Sequence, residues 1–525
     1  MLRPVLLAAL SLAALFAVAP VAVAQPGDAD LAALDAYIEA ALDDWPVPGL
    51  AVAIVKDGAV VHAKGYGTRT LGADHPVDEH TLFAIASNTK AFTAALLAML
   101  VDEGRLGWDD RVVDHLPYFE LYDPYVTESM RVRDLLSHGS GLGTFSGDLL
   151  WYDTDYTAEE VVRRARHLDP AGPFRASYGY SNLMVITAGE VIRAVTGQPW
   201  AEVVRERILD PLGMDRTVTS TNALSALDNV ATPHKPFPDS LVTVEWMNWD
   251  AMGAAGALIS SVDDIARWMR LQLAGGTLTS GSGDEVTLFS ADQQHTMWSP
   301  HTVIPISRGA RARNPHTHFR ATGLGWFLRD YHGRRLIDHG GGYDGMFSRT
   351  VLVPEENLGV VVLTNSMTAL ASALTSRVVD TYLGVTDEAG QVRDYAADYR
   401  PFDRSNREGF YARIDSATVD RGDTPPTLAL ADYAVSFESD LYGGATIDVE
   451  GAGLVLRFDA SDLVADLTHL HGDVFRLDWR EAYAWYGSGN AQFVLSPANE
   501  IEELRLDVPN DDLWFYELKL MRVDR

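Results

Sequence analysis

The sequence predicts an α+β domain followed by a small all-β barrel or sandwich. A helix and a hairpin near the N-terminus, a helical middle, and a late series of short strands with a closing helix predict the first domain, because one sheet can join both ends of such a chain. Short alternating runs separated by turns over the last ~100 residues predict the second domain. The chain has 525 residues, 47% of them hydrophobic, and this content excludes general disorder.

The N-terminal segment has the features of a secretory signal. Arg3 precedes an apolar run from Val5 to Ala19, and the small-residue triplet Ala22-Val23-Ala24 follows. This pattern predicts a signal peptide over residues 1–24 that is cleaved before Gln25. The alternative is an uncleaved anchor, although the run is shorter than the roughly 20 residues of a membrane span. We therefore expect an exported protein, periplasmic or secreted, with no stable membrane insertion after cleavage.

The elements of the first domain follow in order. Leu31 to Leu42 has apolar residues at helical spacing. Two β-rich runs flank Asp57-Gly58, which predicts a hairpin. A helix is predicted from about Ser87 to Glu103, and mixed helices and loops follow it. The later strands and the closing helix are predicted at residues 325–328, 336–339, 348–353, 359–364 and 369–383.

The C-terminal part divides into a linker and a β-domain. Residues 385–426 are polar, irregular and rich in Asp and Arg, and they end in Pro425-Pro426, which predicts a linker or a segment that wraps around the first domain. Alternating runs follow, for example at 445–449 and 491–495. The predicted organisation is a signal peptide (1–24), a first domain (25–384), a linker (385–426) and a β-domain (427–525).

Charge and composition exclude several classes of function. The chain has 73 acidic and 42 basic side chains, a formal net charge of −31, which would repel a phosphate backbone, so we expect no nucleic-acid partner. It has no cysteine, which removes disulfides, thiolate metal sites and cysteine nucleophiles. The histidine pairs His316/His318 and His469/His471 have no evident third ligand. We expect no metal and no cofactor.

The first chemical motif is Ser87-Asn88-Thr89-Lys90, in a chain with five lysines. Residues three apart share a helix face, which brings the hydroxyl and the ammonium within bonding reach. A serine needs a neighbouring base to become nucleophilic, and a lysine with a lowered pKa can be that base. A capping serine followed by a surface lysine is the structural alternative. The apolar residues on both sides of the motif disfavour it, because burying a lysine is costly.

Two further motifs hold polar groups suited to the same chemistry. Tyr180-Ser181-Asn182 offers a phenol that can relay a proton and an amide that can hold a substrate carbonyl or amide. His339-Gly340-Gly341-Gly342 ends a strand, where glycines allow a substrate backbone to approach and the Gly342 N–H can serve as an oxyanion donor. Taken singly, an Asn cap and a glycine turn would explain these two motifs equally well.

Together, in this order, the three motifs resemble the serine β-lactamase and penicillin-binding superfamily. The resemblance is to its class C-like branch of esterases, D-aminopeptidases and DD-peptidases, and it covers roughly residues 28–384. It implies a β-lactamase/transpeptidase-like fold, an antiparallel sheet flanked by helices with a helical subdomain. The tail, through Asp466-Leu467-Thr468-His469-Leu470-His471, is similar to the lipocalin-like barrel of some of these hydrolases, including self-compartmentalising peptidases.

The resemblance implies a role for each matching residue. Ser87 would be the acylated nucleophile, Lys90 its base and Tyr180 the proton relay. Asn182, His339 and Gly341 would bind substrate, and the backbone N–H groups of Ser87 and Gly342 would form the oxyanion hole. Ser137, His138 and Ser140 are expected only to shape the site.

The family implies an exported hydrolase that acts through an acyl-enzyme on small ester or peptide substrates, including D-amino-acid or peptidoglycan-derived ones. His339 stands where true β-lactamases carry a lysine, and a neutral ring is a weaker anchor for a carboxylate. A penicillin-receptor-like binding protein and a true β-lactamase remain as alternatives. A homo-oligomer formed through the C-terminal domain is an arrangement that the resemblance allows.

Overall fold

The computed structural model describes residues 28–237, 239–279, 285–419, 422, 424–451 and 453–524. The predicted signal peptide lies outside these residues. Within them, no helix has both the length and the apolar character needed to cross a membrane.

The first domain is built on one antiparallel sheet of eight strands that joins both ends of the domain, as predicted. Gly49–Lys56 pairs with Ala59–Gly67 on one side and with Leu358–Thr364 on the other. From Leu358–Thr364 the sheet continues backwards through the chain as far as Thr302–Val303. The strands, in sheet order, are Ala59–Gly67, Gly49–Lys56, Leu358–Thr364, Met346–Val353, Arg334–Tyr343, Phe327–Tyr331, Arg320–Thr322 and Thr302–Val303.

The sheet separates two hydrophobic cores. Side chains alternate between the faces of a strand, so Leu50 and Val52 pack with the N-terminal and closing helices, while Ala51 and Ala53 pack with the helix that follows Ser87. The helical subdomain covers the second face. The α-helices are Asp28–Asp44, Thr89–Asp102, Val112–His115, Pro124–Ser129, Ala158–Arg164, Asn182–Thr196, Trp200–Val204, Asp210–Leu212, Gly253–Gly256, Val262–Leu273, Ala291–Met297, Arg308–Arg313, Leu370–Leu383 and Tyr395–Ala417.

The predicted linker is partly helical, which corrects the sequence prediction of an irregular segment. Tyr395–Ala417 forms a helix of 23 residues with Pro401 inside it. Asp394 caps its N-terminus by accepting from the Ala397 N–H, and ion pairs four residues apart, such as Arg404–Glu408, stabilise it. Few of its side chains are buried, so its sequence has little of the apolar periodicity that predicts a helix.

The C-terminal domain is a closed antiparallel barrel, as predicted. Each of its eight strands pairs with the next, and Ser436–Ser439 pairs with Leu520–Val523 to close the circle. Tyr433, Phe475 and Phe493 pack edge to face in its core, with ring centroids 4.8–5.4 Å apart. The strands are Ser436–Ser439, Gly443–Glu450, Gly453–Phe458, Val464–His471, Val474–Trp479, Gly489–Leu495, Ile501–Asp507 and Leu520–Val523.

The barrel is docked against the first domain. The hydrophobic cluster that surrounds the Ser87 helix continues into the barrel interior without a break. Tyr152 of the first domain contacts Tyr483 and Tyr486 of the barrel, and Asp155 donates its N–H to the Ala460 carbonyl. This docking brings barrel residues to the site described next.

Candidate active site

Ser87 lies in a short 3-10 turn, Ala86–Asn88, immediately before the helix Thr89–Asp102. Ala86 has a φ of 46°, a left-handed conformation that costs a non-glycine residue roughly 1–2 kcal/mol. The Asn88 side chain holds the turn by donating to the Ile85 carbonyl (3.2 Å) and to Ser348 Oγ on the sheet (2.8 Å). The turn therefore presents Ser87 from a fixed backbone.

Lys90 is fully buried, and its Nζ has three hydrogen-bond partners. They are Ser87 Oγ at 2.9 Å, Asn182 Oδ1 at 2.7 Å and the Ala255 carbonyl at 2.7 Å. Burial lowers the pKa of Lys90 to about 7. The amide and carbonyl oxygens can only accept, so a neutral amine gives them its two N–H bonds and directs its lone pair at the Ser87 hydroxyl. This is the geometry of a general base for Ser87.

Tyr180 also contacts Ser87. Its hydroxyl is hydrogen-bonded to Ser87, and burial raises the pKa of the phenol well above 10. Its ring lies 5.0 Å from Lys90 Nζ and 4.4 Å from the His138 ring. Tyr180 is therefore a protonated phenol near neutral pH, able to donate and to relay a proton but not to act as a standing base.

Asn182 is the first residue of the helix Asn182–Thr196, whose N-terminus is capped by the Ser181 hydroxyl. Its amide oxygen accepts from Lys90, and its amide nitrogen donates to Asp148 Oδ2 at 2.7 Å. Burial raises the pKa of Asp148 to about 8, which leaves this carboxyl mostly neutral at pH 7. Asn182 thus orients the base from within a buried chain of polar groups. No motif in the sequence pointed to Asp148.

His339 lines the same cavity as Ser87 and Tyr180. Its Nδ1 lies 2.6 Å from the Gly340 carbonyl oxygen, so Nδ1 carries the proton. The buried Nε2, which has no partner among the described residues, is an acceptor. Burial lowers the pKa of His339 to about 3. The ring is neutral and offers no charge to a carboxylate.

The glycines beside His339 have different roles. Gly340 and Gly342 line the cavity. Gly341, which the sequence predicted to bind substrate, does not line the cavity. A Cβ atom there would lie 2.1 Å from the Ile85 carbonyl oxygen, so the absence of a side chain allows the strand to approach the Ser87 turn. Trp485 packs against Gly342 from the barrel side.

The cavity over Ser87 has a volume of about 370 Å³ and a largely aromatic wall. The barrel completes it with Trp485, Asp512 and Leu513. Burial raises the pKa of Asp512 to about 7, and none of the described residues donates a hydrogen bond to its carboxylate. Sequence reasoning missed Asp512, because nothing in Asn510-Asp511-Asp512 indicates which domain it faces. The aromatic residues in the wall are Phe145, Trp151, Tyr152, Tyr178, Tyr180, Trp249, Phe327, Phe347 and Trp485.

The β-lactamase family matches residues 34–382, more than half of the chain. The chain belongs to this family. Residues 420–522 match a domain of unknown function, DUF3471, and this stretch contains the barrel. The chain is also similar to unguisins hydrolase ungD of Aspergillus violaceofuscus, 30% identical over 87% of this chain and 84% of that protein. Protein flp of Staphylococcus aureus strain MW2 is 28% identical over 63% of this chain and 62% of that protein.

Solved structures share the fold. The octameric penicillin-binding protein homologue from Pyrococcus abyssi has a TM-score of 0.60 and 22% identity, over 94% of this chain and 100% of that one. The D-amino acid amidase from Ochrobactrum anthropi has a TM-score of 0.54 and 24% identity, over 71% and 99% respectively. The first of these two covers both domains of the present chain.

Proposed function

We propose that this chain is an exported serine hydrolase that forms an acyl-enzyme on Ser87 with small ester or amide substrates. The observation that carries the proposal is the Lys90 amine, held at 2.9 Å from Ser87 Oγ with a pKa lowered to about 7. A base with a pKa near the working pH combines a usable neutral fraction with enough basicity to take a proton. A protein that only binds its ligand, without forming a covalent bond to it, would gain nothing from this arrangement.

The reaction proceeds in two halves. Ser87 Oγ attacks the substrate carbonyl carbon and its proton passes to Lys90 Nζ, while the Ser87 and Gly342 N–H groups receive the developing oxyanion. Lys90 returns the proton to the leaving alcohol or amine through the Tyr180 hydroxyl, and the bond to the leaving group breaks. Water then attacks the acyl-Ser87 ester, with Lys90 and Tyr180 moving its proton to Ser87 Oγ, which releases the acid.

The polar groups of the cavity favour a substrate that carries hydrogen-bond donors. His339 Nε2 is an acceptor, Asp512 supplies a carboxyl group, and the remaining wall is mostly aromatic. An apolar acyl group bearing an amino group, as in an aminoacyl amide or a small peptide, matches these two groups. The cation in the wall, Arg349, is paired with Asp338. The names of the relatives, a hydrolase of unguisins and a D-amino acid amidase, support amide substrates, including those with D-amino acids.

Covalent labelling tests whether Ser87 is the nucleophile, and substrate turnover tests whether the protein is an enzyme. We expect a fluorophosphonate to label the wild type on Ser87 and to leave Ser87→Ala unlabelled but folded. Lys90→Ala should lower turnover of p-nitrophenyl esters and of D- and L-aminoacyl amides by orders of magnitude. Near-wild-type hydrolysis by Ser87→Ala would contradict the proposal, and stable labelling without turnover on any substrate, nitrocefin included, would favour a penicillin receptor.

Export is tested separately. The full chain, expressed in a Gram-negative host, should be recovered from the periplasm or medium with Gln25 as its first residue, as read by N-terminal sequencing. Recovery of the uncleaved chain with the membrane fraction would support the anchor alternative.

A further inference from the structure

A second cavity, of about 240 Å³, lies between the sheet and the closing helix of the first domain. Arg329, Asp338 and Arg349 line it from the strands, and Ser372 lines it from the helix Leu370–Leu383. Arg349 also lines the cavity over Ser87. The two cavities are therefore neighbours that share one guanidinium group.

The charges around this second cavity do not balance. Asp338 is almost fully buried, and its two oxygens are used by Arg329 Nε (3.1 Å) and Arg349 Nη2 (2.7 Å). Arg320, which also lines the cavity, has no carboxylate partner among the described residues, and its guanidinium lies over the Phe327 ring at 5.7 Å. Three guanidinium groups thus face one carboxylate.

This excess of positive charge is unusual in a chain with a net charge of −31. Only about a fifth of the Arg329 and Arg349 side chains is exposed. Three guanidinium groups that share one carboxylate lose solvation that a single counter-charge does not replace, which favours an anion in the adjacent space.

An unused hydroxyl group is also present. Thr317 lines the cavity and is buried, and its Oγ1 has no hydrogen-bond partner among the residues that the structure describes. Buried polar groups are normally satisfied, so an unpaired one indicates a missing partner. A hydroxyl donor beside planar guanidinium groups matches the oxygen atoms of a phosphate, a sulfate or a carboxylate.

We propose that the cavity bounded by Thr317, Arg320, Arg329 and Arg349 binds a small oxoanion. Arg320 and Thr317 supply donors that no group in the described part of the chain accepts from, and Arg329 and Arg349 add the charge that Asp338 leaves uncompensated. Because Arg349 Nη1 lies 3.1 Å from the position of a Cβ on Gly340, and Gly340 lines the catalytic cavity, the bound anion also fixes one wall of that cavity.

The test is binding of inorganic phosphate and sulfate to the full chain, with sodium chloride at equal ionic strength as the reference. We expect saturable, one-to-one binding by calorimetry and a rise in Tm of a few degrees at about one hundred times the Kd. Arg320→Gln and Thr317→Val should each lower the affinity, the first by tenfold or more. Arg311→Gln is the matched control, since Arg311 is exposed on the helix Arg308–Arg313 and does not line the cavity.

Equal stabilisation by chloride, or unchanged phosphate affinity in Arg320→Gln, would overturn the proposal. Ser87→Ala should bind phosphate like the wild type, which separates this site from the proposed hydrolysis. Wild-type protein labelled with fluorophosphonate distinguishes the source of the anion. Unchanged phosphate binding after labelling indicates a free oxoanion with its own entrance, whereas lost binding after labelling indicates an anionic group that arrives on a ligand through the catalytic cavity.

Discussion

The reactivity of Ser87 depends on whether Lys90 holds its proton. The ammonium form satisfies all three partners of Lys90 Nζ but has no lone pair for the serine proton. The neutral form keeps the bonds to Asn182 and Ala255 and accepts from Ser87. Only the neutral form can start acylation.

A pH profile follows from this protonation state. With the pKa of Lys90 lowered to about 7, kcat/KM for a neutral ester should fall about tenfold per pH unit below 7 and level off above it. The profile is measured with a p-nitrophenyl ester and, independently, as the rate of fluorophosphonate labelling. Asp512→Asn is the control, because a neutral ester gives that carboxylate no charge to recognise. A flat profile from pH 5 to pH 8 would contradict Lys90 as the base.

Gly341 supports a second prediction at the scale of one residue. A Cβ at this position would lie 2.1 Å from the Ile85 backbone oxygen and 2.4 Å from Ser348 Oγ. Gly341→Ala should therefore push the strand off the Ser87 turn and lower kcat by about a hundredfold or more, since small misplacements of reacting groups are costly. Gly340→Ala is the matched control for position. The Cβ there meets the end of a flexible arginine side chain, and activity should fall far less.

At the scale of the element, the sequence predicted the helices and strands whose positions depend on turn residues and on the spacing of apolar residues. The Asp57-Gly58 hairpin, the helix after Ser87 and the late strands all lie where turn residues and apolar spacing indicate them. The helix Tyr395–Ala417 was missed because polar contacts hold much of it. Asp403 shows this well, since it pairs with Arg407 on its own helix and accepts from the Ala369 N–H at the start of the closing helix.

Asp403 should therefore act as a cap supplied by another helix. Asp403→Ala removes the acceptor from the Ala369 N–H, and we expect a loss of about 1–2 kcal/mol in the free energy of unfolding, as for other helix caps. The loss is measured by urea denaturation. Glu408→Ala removes an exposed ion pair with Arg404 on the same helix and should cost under about 0.5 kcal/mol. Equal effects of the two substitutions would show that Asp403 is not a cap.

At the scale of the whole molecule, the sequence predicted the residues of the site that lie in motifs and missed those that lie across space. Ser87, Lys90, Tyr180 and His339 could be named because their separations resemble a family pattern. Asp148 and Asp512 reach the site only through tertiary packing, and Asp512 arrives from the other domain. No local pattern records such a contact, because it depends on how the barrel docks.

The docking also decides how the role of the barrel can be tested. Removing everything after Leu383 would expose a core that the two domains share, so a change in activity could reflect unfolding alone. Replacing Asp512, which the 508–514 loop places in the cavity wall, leaves the shared core untouched and changes the cavity directly. A homo-oligomer formed through the barrel remains a proposal that light scattering of the full chain can test.

Asp512 gives the sharpest prediction at this scale. If its carboxylate recognises the amino group of a substrate, Asp512→Asn should lower kcat/KM for an aminoacyl amide at pH 7.5 by about tenfold, mainly through KM, and leave a neutral ester within about twofold. Asp511→Asn is the matched control, because Asp511 is exposed and pairs with Arg413.

Since burial raises the pKa of Asp512 to about 7, the preference for the charged substrate should shrink as the pH falls below 7 and the carboxylate is protonated. Equal loss on both substrates would instead indicate that Asp512 only shapes the wall, and the barrel would then select substrates by size and not by charge.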